Sequence, residues 1–215
     1  MKLTLTMLLV LVGIGVFAYD ISAQKRSISS EESLKLAYPN GYGQTNRVHR
    51  SVTIGERFSD GILKERSTHT YEFLGSNHFR QHTVVERGDV TDTTEIIRIG
   101  VLRYSRKNNE AWTTEDLTKE IISIGCGFGP FRVNQYTVEP TILNSVAVNL
   151  LESLSVWQDK DRLMYDENRK WVDEHGNSYK TEFESGTLSP RSFDHRSTST
   201  TEYDPADLKI EAPIK

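Results

Sequence analysis

Alternation of side-chain character along the chain is the feature that most constrains its fold. From Arg47 onward, apolar and polar residues alternate in runs that are separated by short Gly/Asn/Asp connectors. A period of two places successive side chains on opposite faces of a strand, and Gly, Asn and Asp favour tight turns. The first predicted strands are Arg47–Gly55, Leu63–Phe73, Phe79–Glu86 and Thr93–Arg106. Together they predict an antiparallel meander.

The same pattern returns in the second half of the chain. Predicted strands cover Ser145–Trp157, Asp161–Trp171, Tyr179–Glu184 and Ser197–Tyr203, with a hairpin loop at Val172–Ser178 and a terminal extended segment at Leu208–Ile214. A mean hydropathy of −0.51 favours a sheet with one solvated face. The predicted fold class is mainly β (α+β), a curved antiparallel sheet or incomplete β-barrel with one or two covering helices.

Helical signals are confined to two segments. Glu115–Ile124 has apolar residues at near-helical spacing, with Thr114 as N-cap and Gly125 as stop. A shorter helix is predicted to begin within Ser27–Ser33 and to run to Ala37, before Pro39 breaks it.

The N-terminus predicts export. Lys2 precedes the apolar run Met7–Ala18, and Ala23 supplies a small residue at the cleavage position. The run is shorter than the roughly 20 residues that a membrane-spanning helix needs, so an uncleaved anchor is the less favoured alternative. The predicted organisation is a signal peptide at 1–23, an irregular lead-in at 24–46 and a single β domain at 47–215, in the periplasm or secreted.

The net charge and the cysteine content restrict the partners and covalent cross-links that this chain can be expected to have. Cleavage after Ala23 removes Lys2 and Asp20, so the formal net charge of −4 is unchanged and gives no reason to expect nucleic acid as a partner. Cys126 is the only cysteine, which excludes an internal disulfide. We interpret it as a partly buried residue of a glycine-rich segment, with an intermolecular bridge or a reactive thiol as alternatives. No cysteine lies directly after the apolar run, so a lipid-modified N-terminus is not expected.

Catalytic and metal-binding motifs are not found. The histidines are His49, His69, His78, His82, His175 and His195, and none has H-E-x-x-H spacing. A two-histidine site across neighbouring strands is the alternative to ordinary surface histidines. Asp194-His195 lacks the G-x-S-x-G turn of a hydrolase, and Gly125–Gly129 lacks the Lys-Ser/Thr of a phosphate loop. We therefore predict no catalytic residue, no metal and no cofactor, and a protein that is not an enzyme.

The segment Thr93–Arg106 carries the main functional clue. As one strand, it would have Ile97, Ile99 and Val101 on one face, and on the other Ile96, Leu102 and Tyr104, interrupted by Arg98. Apolar residues on both faces indicate either cover on both sides or a bulge at Gly100. The cover would be a helix in an ordinary core, or a ligand.

Three stretches resemble the LolA/LppX-like lipoprotein-carrier superfamily. They are Glu95–Arg106 followed by Trp112, then Lys170-Trp-Val-Asp173 with Gly176, and finally Thr201–Asp204 with Leu208–Pro213. The resemblance implies an incomplete, strongly curved antiparallel barrel with helices over its mouth. It also implies periplasmic binding of lipids or lipoprotein acyl chains, without catalysis or cofactor.

The sequence thus predicts a non-enzymatic binding protein for an apolar ligand, a lipid or a lipoprotein acyl chain. The residues predicted to line its apolar face are Phe73, Phe79, Ile97, Ile99, Leu102, Tyr104 and Trp112. One alternative is an envelope module that recognises a protein partner on the same sheet, and another is an uncharacterised hydrolase.

Overall fold

The structure, a computed structural model, describes residues 24–39, 47–119 and 132–213. Within these ranges the chain is mostly β-strand. The strands are β1 Arg26–Ser27, β2 His49–Ser59, β3 Ile62–Gly75, β4 His78–Arg87, β5 Val90–Ile99, β6 Leu102–Lys107, β7 Thr113–Asp116, β8 Val133–Leu143, β9 Val146–Asp159, β10 Arg162–Val172, β11 Ser178–Leu188 and β12 Arg191–Tyr203. Helix α1 covers Ser30–Ala37, and Leu117–Lys119 form a 3-10 turn. The predicted signal peptide at 1–23 lies outside the described residues.

All the strands belong to one antiparallel sheet. Its order is β1-β8-β9-β10-β11-β12-β2-β3-β4-β5-β6-β7, so two meanders, β2–β7 and β8–β12, are joined where β12 pairs with β2. The sheet is open, with β1 and β7 at its two ends. The predicted mainly β fold, built on an antiparallel sheet that does not close, is confirmed.

The predicted strand Thr93–Arg106 is wrong, because it is two strands. β5 ends at Ile99 and β6 begins at Leu102. Between them Gly100 has a φ of +62°, which glycine adopts without strain, and its N–H donates to Asn77 O at 2.7 Å. Ile99 then lies opposite Leu102, and Ile97 opposite Tyr104. The apolar surplus is therefore on one face of a hairpin, and neither cover on both sides nor a bulge is needed.

The predicted helix at Glu115–Ile124 is also wrong at its start. Thr114 and Glu115 lie in strand β7 and pair with Tyr104 and Arg103 of β6. The backbone groups that a helix would have satisfied are thus used by the sheet. Residues 120–124, together with Cys126 and the glycine-rich tract, lie outside the described residues.

Strand β8 was not predicted. β8 contains Pro140, which cannot donate to a ladder and argued against a strand. It is tolerated because, among the described strands, β8 has on its outer side just the two-residue β1, paired at Thr137 and Val138. The terminal segment predicted to be extended, Leu208–Ile214, is described as far as residue 213 and belongs to no strand of the sheet.

Helix α1 packs against the β8–β10 part of the sheet. Ser29 caps it, because its Oγ accepts the N–H of Glu32 at 3.1 Å. Ala37 at its last turn joins a small buried core with Val138, Leu151 and Val172. None of the helices in the described ranges is long and apolar enough to cross a membrane.

Candidate functional site

The two faces of the sheet differ in chemistry. Residues directly opposite one another on neighbouring strands share a face. His49, Phe73 and Phe79 are opposite one another across β2, β3 and β4, and we call their side the aromatic face. Arg50, Glu72 and Arg80 are opposite one another on the other side, which we call the charged face.

A continuous row of rings crosses the aromatic face. Its centroid distances are 5.6 Å for Phe79–Tyr71, 5.1 Å for Phe73–His49, 5.9 Å for His49–Tyr203 and 5.2 Å for Tyr203–Tyr179, with Tyr71 also stacked on Phe73. These six residues, the aromatic row, come from β4, β3, β2, β12 and the start of β11, which are neighbours in the sheet. At about 4.8 Å between strands, the row spans about 19 Å.

The rings of the aromatic row are half-buried. Burial raises the pKa of Tyr71, and it raises the pKa of Tyr203 to about 12 although the Tyr203 hydroxyl donates to Ser178 O at 3.1 Å. Helix α1 covers the same face of the sheet over β8–β10. Among the described elements, no helix lies over the row itself. Within the described part of the chain, the row is therefore a half-exposed apolar strip.

A groove of about 240 Å³ lies at the Phe79 end of the aromatic row. It is lined by Phe79, Gln81, Ile96, Arg98, Arg103 and Leu117. Phe79, Arg98 and Arg103 are opposite one another on β4, β5 and β6, which places all three on the aromatic face. Leu117 comes from the 3-10 turn after β7, whose N–H at Leu117 donates to Val101 O at 2.9 Å. The groove thus combines apolar walls with two guanidinium groups.

The charged face is paired within itself. Arg50 Nε donates to Glu72 Oε1 at 2.9 Å, Arg80 Nη2 lies 2.6 Å from Glu95 Oε1, and Arg106 Nη2 lies 2.7 Å from Glu95 Oε2. Glu95 is only 5 % exposed. Burial opposes its charge, but the bonds and attraction of Arg106 and Arg80 outweigh burial and hold the pKa of Glu95 below its ordinary value. This ladder of alternating charges stabilises the sheet and leaves little net charge for a ligand.

A second network of side chains on the charged face is also paired within itself. The fully buried Tyr165 donates its hydroxyl to Glu184, and Arg191 Nη2 donates to Glu184 at 3.2 Å and to Glu167 at 2.7 Å. The Glu184 carboxylate therefore has a lowered pKa, through the Tyr165 hydrogen bond and, despite burial, the Arg191 guanidinium. It is suited to cross-linking β10, β11 and the turn into β12, not to proton transfer.

The sequence-predicted site residues fall on both faces. Phe73 and Phe79 lie in the aromatic row. Ile97, Ile99, Leu102 and Tyr104 pair with one another on the charged face. Trp112 joins that side, because the Arg106 guanidinium lies 4.7 Å from its ring centroid. The structure therefore brings the seven predicted residues together as two groups and not as one site.

Sequence reasoning missed the other members of the aromatic row, which are His49, Tyr71, Tyr179 and Tyr203. His49 and Tyr71 could have been found by carrying the alternation from Phe73 back through the Asp60-Gly61 turn, since β2 and β3 pair around it. Tyr203 and Tyr179 required knowledge that β12 returns to pair with β2, which no local pattern shows.

The histidines are engaged in separate contacts. His69 Nδ1 shares a hydrogen bond with Thr83 Oγ1 at 2.9 Å, and His78 Nε2 bonds Ile210 O at 3.0 Å. His69 lies opposite Thr53, four residues along β2 from His49. Among the residues in the described ranges, no three His, Cys, Asp or Glu side chains are placed to hold a metal.

The motif at Trp171–Gly176 forms the β10–β11 hairpin. The Asp173 carboxylate accepts the N–H groups of His175 and Asn177, both at 2.9 Å, and the Asn177 side-chain amide at 2.8 Å. Gly176 has a φ of +81°, and a Cβ there would collide with Pro39 Cδ. The motif therefore has a structural role, which is to hold the segment after α1 against the hairpin.

No family model matches the chain, and a search of curated proteins returns no match. The resemblance to the lipoprotein-carrier superfamily consequently has its support in the quoted motifs alone.

Proposed function

We propose that this protein is an exported, non-enzymatic binding protein for an apolar ligand, a lipid or a lipoprotein acyl chain, which lies along the aromatic row. The observation that carries the proposal is the row itself, six rings in contact across five neighbouring strands. Its length of about 19 Å, from the strand spacing, suits an extended acyl chain.

The energetics favour this strip over the other face. Each 100 Å² of apolar surface that a ligand removes from water contributes about 2.5 kcal/mol, before the costs of association. Half-buried rings supply such surface at little further loss of side-chain freedom. On the charged face, a ligand would have to compete with ion pairs such as Arg106–Glu95, which are already formed.

Export is the second support for this proposal. The segment Met1–Ala23 has the charge, apolar run and small residue of a signal peptide. A carrier for apolar molecules is useful in an aqueous compartment between or outside membranes, and we place this protein in the periplasm or among secreted proteins.

Lipid extraction and ligand titration test the proposal. Mass spectrometry of organic extracts should find a co-purified lipid, and a fluorescent fatty acid should bind saturably to the purified chain. The double variant Tyr71→Ser/Phe79→Ser should weaken that binding about tenfold or more, since two apolar rings are lost. The matched control is Phe193→Ser, an aromatic beside Arg196 on the charged face. Absence of both co-purified lipid and saturable binding would contradict the proposal, as would an equal loss in the control.

The second candidate function, an envelope module for a protein partner, is favoured by the open edge at β7. All four residues of β7 are exposed, and no described strand pairs with its outer side. An unpaired edge can accept a strand from another chain. Capture of a single envelope protein without lipid, lost when Thr114→Pro blocks this edge, would favour this function over the first.

A further inference from the structure

Two arginines face each other in the groove at the Phe79 end of the aromatic row. Arg98 of β5 and Arg103 of β6 are directly opposite in the register of the hairpin, and both side chains are half-buried. Like charges directly opposite on neighbouring strands destabilise a sheet. The hairpin thus carries an electrostatic cost at this position.

Their neighbours compensate this charge only in part. Arg98 Nε donates to Gly100 O at 3.3 Å, and Arg98 forms no ion pair with any residue in the described ranges. Arg103 Nη1 lies 3.5 Å from Glu115, a carboxylate that is itself 63 % exposed. On the charged face, by contrast, Arg80 and Arg106 share the buried carboxylate of Glu95 at 2.6 and 2.7 Å. The two arginines of the groove are therefore neutralised less completely than Arg80 and Arg106 on the charged face.

We propose that Arg98 and Arg103 bind the anionic headgroup, a carboxylate or a phosphate, of a single-chain amphiphile whose acyl chain follows the aromatic row. This inference rests on the proposed function and specifies its ligand class. A guanidinium presents paired N–H donors that match carboxylate and phosphate oxygens. An anion held between the two groups offsets the repulsion that the free hairpin carries.

The shape of the groove agrees with this assignment. Phe79 belongs both to the groove and to the aromatic row, so a chain that leaves the headgroup passes directly onto the row. Ile96 and Leu117 supply apolar walls beside the arginines. At about 240 Å³ the groove is smaller than the roughly 300–1,000 Å³ of a pocket that encloses a whole ligand. It suits the headgroup and the first part of the chain, with the remainder on the open face.

Calorimetric titration of the purified protein with four probes tests the assignment. Laurate, dodecyl phosphate and methyl laurate carry hydrocarbon chains of equal length, and inorganic phosphate carries none. Laurate and dodecyl phosphate should bind more tightly than the uncharged methyl ester, by about tenfold or more, and the gap should shrink at high salt. The tighter of the two anionic amphiphiles identifies the headgroup. Inorganic phosphate alone should bind more weakly than either, since it lacks the chain.

Variants separate headgroup recognition from a structural role. Arg98→Gln/Arg103→Gln should weaken both anionic probes about tenfold or more while methyl laurate binding stays the same. Arg57→Gln is the control, because Arg57 is an exposed arginine on the same face that forms no ion pair with the described residues. The double variant should melt at the same temperature as the parent or higher, since it removes a like-charge pair.

Three results would overturn the headgroup assignment. They are equal affinity for laurate and methyl laurate in the parent, an equal loss in Arg57→Gln, and a lowered melting temperature with no selective loss of anionic probes. Each of these leaves the proposed function in place as long as the ester binds. Failure of all three chain-bearing probes to bind would instead contradict the proposed function itself.

Discussion

Glu95 shows how a single buried carboxylate holds the charged face together. It lies 5 % exposed on β5 and accepts bonds from Arg80 on β4 and Arg106 on β6. A buried charge without partners would cost several kcal/mol, whereas here two neighbouring strands are cross-linked through one side chain. The residue thus links β4, β5 and β6 through one carboxylate.

We expect Glu95→Gln to lower the free energy of unfolding by about 2 kcal/mol, since two charged hydrogen bonds are weakened while both partners stay partly exposed. Because the folded pKa of Glu95 is depressed, its stabilisation is present above the unfolded value of about 4.3 and is lost as the pH falls through the folded value. Urea unfolding at pH 7 and pH 3 measures both effects. From pH 7 to pH 3 the parent should lose the extra free energy of unfolding that it has over Glu95→Gln. The variant should show no such loss.

The control for this prediction is Glu31→Gln. Glu31 pairs with Lys35 on the surface of α1, with both side chains more than 70 % exposed. Its substitution should change the free energy of unfolding by less than about 0.5 kcal/mol. A loss at Glu95 no larger than that of this control would show that the buried cluster contributes little.

Gly176 is constrained by its conformation and by a neighbour at the same time. Its φ is +81°, and an added Cβ would collide with Pro39 Cδ. Gly61 has a similar φ of +73°, but a Cβ added there would have no atom within 4 Å. A substitution of Gly61 therefore costs only the strain of the backbone conformation. Gly61→Ala should cost about 1 kcal/mol and Gly176→Ala clearly more, measured by thermal unfolding. Equal costs would mean that the segment after α1 is not held against the β10–β11 hairpin.

At the scale of elements, periodic strands were the easiest part to predict. The bounds of β3, β4, β9 and β10 lie close to their predicted runs because each has a long alternation and a turn signal at either end. Strand β5 and strand β6 were merged, since only Gly100 and Val101 separate two apolar runs and a single glycine there also fits a bulge within one strand. Strand β8 was missed because Pro140 and its exposed residues weaken the pattern.

The missed turn between β5 and β6 also explains why predicted site residues were assigned to the wrong face. With one continuous strand, Ile97 and Tyr104 would lie on opposite faces, whereas the hairpin places them directly opposite each other on the same face. A two-residue turn reverses the chain and so changes the assignment of every side chain after it. The aromatic row depends on four strand pairings, and one of these, β12 with β2, joins residues far apart in the sequence.

Helix α1 gives a prediction for the element that partly covers the aromatic face. Ser29→Ala removes the Oγ that accepts the Glu32 N–H at 3.1 Å, and we expect it to destabilise the helix by about 1 kcal/mol. Local loss of α1 should appear as faster amide hydrogen exchange in residues 33–38. Ser29→Asp should retain the cap and show parent-like exchange. Unchanged exchange in Ser29→Ala would indicate that packing of Ala37, not the cap, holds the helix in place.

For the whole molecule, the open sheet has two unlike faces. The charged face is satisfied by its own ion pairs, among them Arg50–Glu72 and Arg106–Glu95. The aromatic face is covered by α1 over β8–β10, and the aromatic row crosses β11, β12 and β2–β4 with no described helix over it. Since burial of apolar surface stabilises a sheet, this row is the part of the described surface on which the proposed ligand would bury most apolar area.

Photo-crosslinking with a diazirine-labelled fatty acid tests this account most directly, because it reports which face the ligand contacts. We expect saturable labelling at His49, Tyr71, Phe79 and Tyr203, assigned to single residues by fragmentation of the labelled peptides, and unlabelled fatty acid should compete it away. Labelling centred on the charged face, at Thr68, Val84 or Thr198, would contradict the account, as would labelling that does not saturate.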